Sequence, residues 1–440
     1  MNPEKQEKFI HSTEDAKDKK ALLVSAYTDN KEKAICDEHL TELELLCETY
    51  GIQVSGKFPC LLRKFEASTF VTKGKLEEIG ELAKKLEADL IVFDDEISPA
   101  QQRNLEAELK LTVMDRTEVI LAVFGQRAQT KEARLQIELA RTKYEAPRLK
   151  RMWTHLSRQG GTAGGGGGGG GGYLKGEGEK QIEIDKRLIK RKINLLMDEL
   201  AEVQAHRKTQ RVRRQRNGIP VFAIIGYTNA GKSTLLNALT DAGVFTEDKL
   251  FATLDTTTRK FILENNQEIL LIDTVGFIRK LPHLVIAAFK GTLEEALEAD
   301  ILLHVVDCSH PMAIEQSKTS LEVLKELGAE KTPIITVLNK IDAAENTENL
   351  QKLRLLYPKT VNVSALNAIG FEDLQKLMIE EIRNQRHLVK LIIPQKDYHL
   401  VSKILQEGLI INQDYEENNL VLNVEIPSML IHQLEQYIVS

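Results

Sequence analysis

A glycine-rich octapeptide between an apolar run and a helical run restricts this part of the chain to a strand, a tight loop and a helix. The octapeptide is Gly226-Tyr-Thr-Asn-Ala-Gly-Lys-Ser233; Val221 to Ile225 precede it and Ser233 to Thr240 follow. Its glycines allow backbone N–H groups to approach phosphate oxygens, Lys232 can neutralise the outer phosphates, and the Ser233 hydroxyl can ligate Mg²⁺. The pattern predicts a nucleoside triphosphate site.

A second apolar strand, Ile269 to Ile272, runs into Asp273-Thr-Val-Gly276. An acidic residue at such a strand end can hold Mg²⁺ through a water molecule, while a glycine amide contacts the terminal phosphate. We therefore expect Asp273 and Gly276 to lie at the triphosphate end of the site.

A third strand candidate, Ile334 to Leu338, leads into Asn339-Lys340-Ile-Asp342. A carboxylate there can accept from the ring N–H and the exocyclic amino group of guanine, whereas adenine offers neither donor, so ATP would leave it unpaired. Alone, Asp342 could be a helix N-cap. Because it follows the phosphate loop in order, we interpret it as a guanine reader. Ser364-Ala365, after the strand Thr360 to Val363, fits a backbone contact to the guanine oxygen.

A threonine-rich segment, Phe251-Ala-Thr-Leu-Asp-Thr-Thr-Thr258, separates the first two motifs and has no strong helix or strand period. Such a segment can be ordered by Mg²⁺ and the terminal phosphate and released after hydrolysis. We favour Thr253 as the hydroxyl that senses Mg²⁺. Thr256, Thr257 and Thr258 stand nearby, and most threonines in such a cluster are ordinary β-prone surface.

The motifs together resemble one known family, the HflX GTPases, ribosome-associated members of the translation-factor-related GTPase class. The likeness covers nearly the whole chain. It rests on Phe93-Asp-Asp-Glu-Ile-Ser-Pro-Ala-Gln-Gln-Arg-Asn-Leu105, Leu156-Ser-Arg-Gln-Gly160, the octapeptide ending at Ser233, Phe251-Ala-Thr-Leu-Asp255 and Asp273-Thr-Val-Gly-Phe-Ile-Arg279. The resemblance implies GTP as the substrate, Mg²⁺ as the cofactor with Thr253 as its second ligand beside Ser233, and the large ribosomal subunit and its rRNA as partners.

The candidate site residues follow from these motifs and the resemblance. We assign catalytic roles to Lys232, Thr253 and Gly276, and Mg²⁺ ligation to Ser233 and Thr253. The predicted nucleotide-binding residues are Gly226, Tyr227, Thr228, Asn229, Ala230, Gly231, Lys232, Ser233, Thr234, Phe251, Ala252, Thr253, Leu254, Asp255, Asp273, Thr274, Val275, Gly276, Asn339, Lys340, Ile341, Asp342, Ser364, Ala365 and Leu366.

Phe277 occupies the position after Gly276, where many small GTPases carry a glutamine. A phenyl ring cannot orient an attacking water. We therefore expect Lys232, backbone amides and Mg²⁺ to stabilise the transferring phosphoryl group, with slow intrinsic turnover until a partner completes the site. Arg279 could supply an internal cation, but an exposed arginine after such a segment more often meets a partner or solvent.

The region before the phosphate loop predicts an α/β domain. Its strand candidates are Ala21 to Ala26, Ala88 to Phe93 and Leu111 to Met114, with a helix over Ala100 to Leu109 that Ser98-Pro99 would start. Alternation of strands and helices predicts a parallel sheet. Asp94, Asp95 and Glu96 at a strand end could form a metal or catalytic site, but such acids more often solvate a loop or cap a helix.

Apolar residues recur at helical spacing from Thr130 to Trp153 and from Gln181 to about Arg216, which predicts a long antiparallel hairpin. Its connecting loop holds nine consecutive glycines, Gly164 to Gly172. Polyglycine is usually an idle linker. We favour a tip that enters a narrow RNA-lined space, since a glycine-rich loop near the ribosomal active centre is what the resemblance implies. Family members usually read Gly-Gly-Gly-Ile-Gly there, with an Arg-Gly-Pro-Gly-Glu-Thr-Gln sequel, whereas this chain has Lys175-Gly-Glu-Gly-Glu-Lys-Gln181.

Cations are concentrated on the second hairpin helix, although the formal net charge of the chain is -6. A charge run is usually a solvated face. This local excess favours contact with rRNA phosphates instead. The residues concerned are Lys186, Arg187, Lys190, Arg191, Lys192, Arg207, Lys208, Arg211, Arg213, Arg214 and Arg216.

Four widely spaced cysteines show no metal-ligand spacing, and the N-terminus lacks a signal-peptide core. These features indicate a reducing, cytoplasmic location. No apolar run approaches the ~20 residues of a membrane span, which leaves only peripheral attachment open. We expect a monomer.

The predicted architecture is α/β: a P-loop GTPase domain with a parallel sheet, preceded by an α/β N-terminal domain and a long antiparallel helical hairpin, and followed by a small α+β C-terminal domain. The predicted boundaries are a flexible tail at 1–20, the N-terminal domain at 21–129, the hairpin at 130–216 with its glycine-rich loop at 160–178, the GTPase domain at 217–385 and the C-terminal domain at 386–440. In the last, we expect a strand, a helix, two strands around Asn412 to Asn419 and a final helix from Pro427.

The sequence thus favours a GTPase that binds the large ribosomal subunit and splits or rescues stalled ribosomes under stress. Ribosome assembly is an alternative that the sequence does not separate from it. An ATP-tolerant RNA-remodelling enzyme would share the phosphate loop and the basic hairpin, but Asp342 argues for guanine. A regulatory module with negligible hydrolysis is a third alternative, suggested by Phe277.

Overall fold

The computed structural model describes residues 16–159, 183–184, 186–203, 219–240, 250–251, 254, 256–282, 285–286, 299–344, 347–416, 419–427, 431 and 434–439. The chain divides into two compact units. The first combines residues 1–202 with 247–255 and 280–290, and the second comprises 203–246, 256–279 and 291–440. Three predicted features lie outside the described residues: most of the N-terminal tail, the glycine-rich loop at 160–178, and the cations from Arg207 to Arg216.

The first unit contains the predicted parallel sheet. Its strands are β1 (Lys20–Tyr27), β2 (Gln53–Leu61), β3 (Leu90–Phe93) and β4 (Thr112–Asp115), in the order β2-β1-β3-β4 and parallel throughout. Its helices are α1 (Lys33–Tyr50), α2 (Lys73–Lys85), α3 (Pro99–Leu109) and α4 (Arg116–Arg127). The sequence prediction lacked β2, a half-exposed edge strand.

Helix α3 begins as its sequence predicts. Ser98 Oγ accepts from the Gln101 backbone N–H (3.3 Å), the Gln101 side chain accepts from the Ser98 N–H (3.0 Å), and Pro99 occupies the first turn. This reciprocal capping satisfies two backbone donors that a helix start leaves unpaired.

Among the three acids after β3, Glu96 is exposed, whereas Asp94 takes a role that the sequence did not predict. Asp94 is fully buried, and its carboxylate pairs with Arg116 (3.0 Å), which also meets Glu42. Among the described residues, no group of three potential ligands could hold a metal ion. Asp94 is therefore half of a buried ion pair, neither a loop-solvating acid nor a helix cap.

Two long helices extend the first unit. Helix α5 spans Lys131–Gln159, longer than predicted, and α6 covers residues 186–203. Lys192 on α6 meets Glu138 on α5 (2.9 Å). Leu196 and Leu200 are buried, as the helical spacing predicts, whereas the cationic side of α6 is exposed.

A six-stranded sheet forms the centre of the second unit. Its strands are β5 (Val221–Gly226), β6 (Thr257–Ile262), β7 (Glu268–Asp273), β8 (Ile301–Asp307), β9 (Ile334–Asn339) and β10 (Thr360–Asn362), in the order β10-β9-β8-β5-β7-β6. All pairs are parallel except β6 with β7. The helices are α7 (Lys232–Thr240), α8 (Ala313–Leu327), α9 (Thr347–Leu356) and α10 (Phe371–Asn384). Strands β5, β7 and β9 thus deliver their carboxyl ends, and the three motifs, to one edge.

The C-terminal part forms a separate antiparallel sheet. It contains β11 (Arg386–Pro394), α11 (His399–Glu407), β12 (Leu409–Glu416), β13 (Asn419–Pro427) and β14 (Ile438–Val439), with strand order β12-β13-β11-β14. The predicted strand, helix and strand pair are present. In the region of the predicted final helix, the described residues Ile431 and Leu434 are helical, and a 3₁₀ turn, Glu435–Tyr437, and the short strand β14 follow them. No helix in the described part of the chain is long and apolar enough to cross a membrane.

Candidate functional site

The phosphate loop connects β5 to α7, and both of its terminal glycines are required by its geometry. Gly226 has φ +146°, and a Cβ there would collide with the Val305 carbonyl oxygen. Gly231 has φ +91°, and a Cβ there would overlap the Asn339 amide nitrogen. The loop therefore holds its backbone close to neighbouring strand ends and leaves N–H groups at the start of α7, as an anion-binding loop requires.

Lys232, the first residue of α7, is 7% exposed and donates from Nζ to the Tyr227 carbonyl oxygen (2.7 Å). Burial lowers the Lys232 pKa to about 8, although the nearby Asp273 carboxylate acts in the opposite direction. A bound polyphosphate would supply the negative charge that stabilises the protonated amine. This electrostatic setting matches a lysine that awaits an anionic ligand.

Two oxygen donors meet where Mg²⁺ is expected. Ser233 Oγ donates to Asp273 Oδ2 (2.6 Å), and Asp273 is fully buried at the end of β7. The Thr228 hydroxyl in the phosphate loop is buried and has no hydrogen-bond partner in the described part of the chain. Hydroxyl and carboxylate oxygens are the ligands that Mg²⁺ prefers, so these residues fit the ion. Thr253, the other predicted ligand, lies outside the described residues, as do Ala252 and Asp255.

The segment after Asp273 is fastened to the phosphate loop by its backbone. The Thr228 N–H donates to the Phe277 carbonyl oxygen (2.7 Å), and the Phe277 N–H donates to that of Gly226 (3.0 Å). The Arg279 N–H donates to the Tyr227 hydroxyl (2.7 Å). These bonds place the loop and the segment side by side.

Gly276 and Phe277 differ sharply in their surroundings. A Cβ at Gly276 would lie 2.8 Å from Lys232 Nζ and 2.9 Å from the Thr228 Cα, so only glycine fits without rearrangement. The Phe277 side chain is 1% exposed and packs into the domain. It cannot position a water molecule.

Asn339, at the end of β9, joins the phosphate loop to the loop after β10. Its Nδ2 donates to the Ala230 carbonyl oxygen (2.8 Å), and its Oδ1 accepts from the Ala365 N–H (3.0 Å). The side chain is 2% exposed, and both of its polar atoms are satisfied by backbone groups. Asn339 therefore shapes the site through its neighbours, a role that the motif spacing did not reveal.

The predicted guanine reader, Asp342, is exposed, unlike the buried Asn339, so its carboxylate is open to a ligand. Lys340, with φ +60°, pairs through Nζ with Asp307 Oδ2 (2.7 Å). Ser364 Oγ accepts from the Asn367 N–H (3.2 Å), which fixes the loop that carries Ala365.

The remaining predicted site residues differ in their contacts and in their exposure to solvent. Thr274 Oγ1 donates to the Ile224 carbonyl oxygen (2.7 Å), so this hydroxyl holds the strand end. Within the first unit, the Phe251 ring packs edge-on against Phe124 with centroids 4.5 Å apart. Asn229, with φ +59°, and Leu366 are exposed, Thr234 and Ile341 are half-buried, and Leu254 and Val275 are buried.

Comparison with protein families divides the chain into three matching regions. Residues 221–340 match a family described as 50S ribosome-binding GTPase. Residues 37–125 and 127–214 match the families described as GTP-binding GTPase N-terminal and GTP-binding GTPase middle region.

Full-length relatives match nearly the whole chain. GTPase HflX of Chlamydia pneumoniae is 46% identical over 422 residues, which cover 95% of this chain and 88% of the relative. GTPase HflX of Escherichia coli K12 is 38% identical over 410 residues, covering 92% and 93%. Among solved structures, a GTP-binding protein of Sulfolobus solfataricus in complex with GDP is 27% identical, with a TM-score of 0.42 and coverage of 82% of this chain and 98% of that one.

Proposed function

Since the chain belongs to the HflX family of GTPases and is therefore a GTP-hydrolysing enzyme, we propose that it binds the large ribosomal subunit in its GTP state. Hydrolysis to GDP then releases it. The observation that carries this proposal is the match of residues 221–340 to the ribosome-binding GTPase family, together with a phosphate loop whose glycines, lysine and serine have the required geometry. We propose that the protein is located in the cytoplasm, where ribosomes work, and that it is a monomer.

Guanine recognition is assigned to the Asp342 carboxylate. Its exposure leaves it free to accept two hydrogen bonds from the guanine edge. A bound adenine would leave that carboxylate without donors, which costs binding free energy. The Ala365 amide is held by Asn339 and would supply the neighbouring backbone contact.

Mg²⁺ would be held by the Ser233 and Thr253 hydroxyls, with Asp273 acting through water. Bound there, the ion would neutralise negative charge on the outer phosphates. Ser233 and Asp273 already lie in hydrogen-bond contact, which supports this assignment. Lys232 would contribute the second positive charge at the transferring phosphoryl group.

The intrinsic rate of hydrolysis is proposed to be slow. Phe277 is buried where another GTPase would carry a water-positioning glutamine, and we assign that task to no other described residue. Lys232 and the Gly276 amide are left to stabilise the transition state. A group from the ribosome is then needed to position the attacking water, so turnover should rise when large subunits are added.

Contact with rRNA is assigned to the cationic side of α6. The side chains of Lys186, Arg187, Lys190, Arg191 and Lys192 are all exposed. Lys192 forms a salt bridge with Glu138, whereas the other four side chains form no salt bridge within the described residues. Four free cations over six positions of one helix favour binding to a phosphate backbone.

The biological role that we propose is the splitting or rescue of stalled ribosomes under stress. A protein that binds the large ribosomal subunit tightly in its GTP state can compete with the small subunit for the large one. Hydrolysis of GTP then limits how long the protein stays bound. Assembly of the large subunit would use the same chemistry. Light scattering of intact ribosomes separates the two roles, because only a splitting factor lowers the scattering on addition with GTP.

Sedimentation with purified large subunits tests the central proposal. The protein should pellet with subunits in the presence of a non-hydrolysable GTP analogue and remain mostly in the supernatant with GDP. Equal pelleting with the analogue, with GDP and without nucleotide would contradict nucleotide control.

The proposed rRNA surface needs its own variant and control. Lys190→Glu with Arg191→Glu should weaken pelleting and flatten its dependence on salt, because fewer counterions are released from RNA on binding. Lys318→Glu with Lys376→Glu, on α8 and α10, changes the net charge equally at other exposed sites. If both double variants weaken binding to the same extent, α6 has no specific role.

A further inference from the structure

The loop that follows β2, taken as residues 63–73 so that it includes Lys73, the first residue of α2, presents an aromatic side chain to solvent. Phe65 is 48% exposed, although apolar side chains of this size usually bury most of their surface. The loop lies at the carboxyl edge of the first unit's parallel sheet, because β1, β2 and β3 are parallel. Ligands of open parallel sheets usually bind outside that edge.

The exposed ring has a rigid support. Its centroid lies 5.0 Å from that of Phe70, with the planes tilted by 40°. Phe70 in turn contacts Phe93 edge-on, with centroids 6.0 Å apart, and Phe93 is fully buried in the core. Phe65 is therefore supported by ring contacts that run through Phe70 to the buried Phe93.

Hydrogen bonds fix the backbone of the same loop. Glu66 and Phe70 exchange backbone bonds of 3.1 and 2.8 Å, and Phe70 has φ +65°, a conformation that bulky residues rarely adopt. The side chains of Gln101 and Asn104 on α3 donate to the Glu66 carbonyl oxygen (3.3 Å) and the Ser68 carbonyl oxygen (2.8 Å). The loop is thus held in place before any ligand arrives, which reduces the entropy lost on binding.

The loop itself carries a net positive charge. Residues 63–73 contain the cations Arg63, Lys64 and Lys73 against the single acid Glu66, a net charge of +2. All three cations are exposed, and none forms a salt bridge within the part of the chain that the structure describes. At the same edge of the sheet, Asp94 pairs with Arg116 and Lys280, and Asp95 pairs with Lys280, whereas Glu96 is exposed.

We propose that the loop of residues 63–73 is a stacking platform for an unpaired RNA base, with Phe65 as the stacking surface and Arg63, Lys64 and Lys73 facing the flanking phosphates. An exposed aromatic ring beside free cations is the combination by which proteins bind single-stranded nucleic acid, since every base has a face that can stack. The inference rests on the proposed function for the identity of the natural RNA. The platform itself is independent of the nucleotide site.

Fluorescence anisotropy with labelled oligonucleotides tests the platform. The probes are an oligoadenylate of about 12 nucleotides and an abasic strand of equal length. Phe65→Leu should weaken binding of the full chain to oligoadenylate by about 5- to 150-fold, the range for loss of one stacked base, with no change for the abasic strand. Phe65→Tyr should retain binding. Tyr415→Leu removes an aromatic side chain that is 67% exposed elsewhere and should have no effect.

A spectroscopic readout tests stacking directly. Phe65→Trp, combined with Trp153→Phe to remove the single native tryptophan, places a fluorescent indole on the platform. Oligoadenylate should quench this fluorescence, and the abasic strand should not. GTP affinity should be unchanged in every variant, because Phe65 belongs to the first unit and the phosphate loop to the second.

Equal affinity of Phe65→Leu and the parent protein for oligoadenylate would overturn the platform. If the same variant also lost binding to large subunits, Phe65 would contact a different partner there, such as a protein surface. If the parent protein stacks oligoadenylate on residue 65 but never pellets with large subunits, the proposed ribosomal function fails and the platform stands.

Discussion

A buried histidine should make the stability of the GTPase domain fall as the pH falls. His304 lies in the middle of β8, between Ile225 of β5 and Thr336 of β9, and it is fully buried. Within the described residues, neither ring nitrogen has a hydrogen-bond partner, and the ring contacts Tyr357 edge-on at 5.9 Å. Burial lowers the His304 pKa from 6.5 to about 4, because the charged form loses its hydration.

The direction and size of the effect follow from proton linkage. The unfolded chain takes up a proton near pH 6.5, whereas the folded chain does so only near pH 4, so between these values the unfolded state binds more protons. Stability is therefore full above pH 6.5 and decreases as the pH falls. The loss is about 1.4 kcal/mol at pH 5.5 and approaches about 3 kcal/mol at pH 4.

The variant His304→Leu should remove this loss. It also replaces two unsatisfied buried nitrogens with methyl groups, which should raise stability at neutral pH by about 1–2 kcal/mol. Hydrogen exchange of β8 and β9 peptides in the full-length protein, corrected for intrinsic exchange rates, measures the local free energy of opening at each pH. His399→Gln, which changes an exposed histidine, serves as control and should leave the pH dependence intact. If His304→Leu loses as much protection between neutral pH and pH 5.5 as the parent protein does, the reasoning is refuted.

Three further predictions concern the nucleotide site. Asn339→Ala should lower GTP affinity at least tenfold in isothermal titration. It leaves the Ala230 carbonyl and the Ala365 N–H without their hydrogen-bond partner, and each lost bond costs about 1–3 kcal/mol. Unchanged affinity would show that the Asn339 side chain does not connect the two loops in the way GTP binding requires. Asp342→Asn should exchange GTP preference for xanthine nucleotide preference in competition binding, and retained GTP affinity would reject it as the guanine reader. Gly276→Ala should reduce the rate of single-turnover GTP hydrolysis at least tenfold, because the added methyl group would lie 2.8 Å from Lys232 Nζ. An unchanged rate would show that the segment around Gly276 moves away from Lys232 without cost.

Three of the four inner strands of the six-stranded sheet are predicted from the sequence, and these three are buried on both faces; β8, the fourth, is equally buried but was not predicted. Apolar runs at Val221, Ile269 and Ile334 become central strands, and each ends in a polar motif that its chemistry identifies. Burial on both faces requires an uninterrupted apolar run, so the signal is strong. The order of those motifs then predicts a shared site, because parallel strands bring their carboxyl ends to one edge.

Two of the four edge strands of the parallel sheets were not predicted. The segment 251–258 shows no period, yet its last two residues begin β6 (Thr257–Ile262), the half-exposed strand at the antiparallel edge of the sheet. Gln53–Leu61, the edge strand β2, was missed for the same reason. A half-exposed strand with one neighbour depends largely on its backbone hydrogen bonds, which leave little mark on the order of side chains.

The role of Asn339 was also beyond the sequence, and it changes how the site works. Spacing places this residue near Asp342, the proposed guanine reader, but only the structure shows its amide between the phosphate loop and the loop that carries Ala365. Gly231 must be glycine because that amide occupies the space of a side chain. The phosphate and base halves of the site therefore share one buried group, and displacement of either half strains the other. An entering guanine that draws the Ala365 amide into place would thus also order the phosphate loop, which couples base identity to phosphate binding before any chemistry begins.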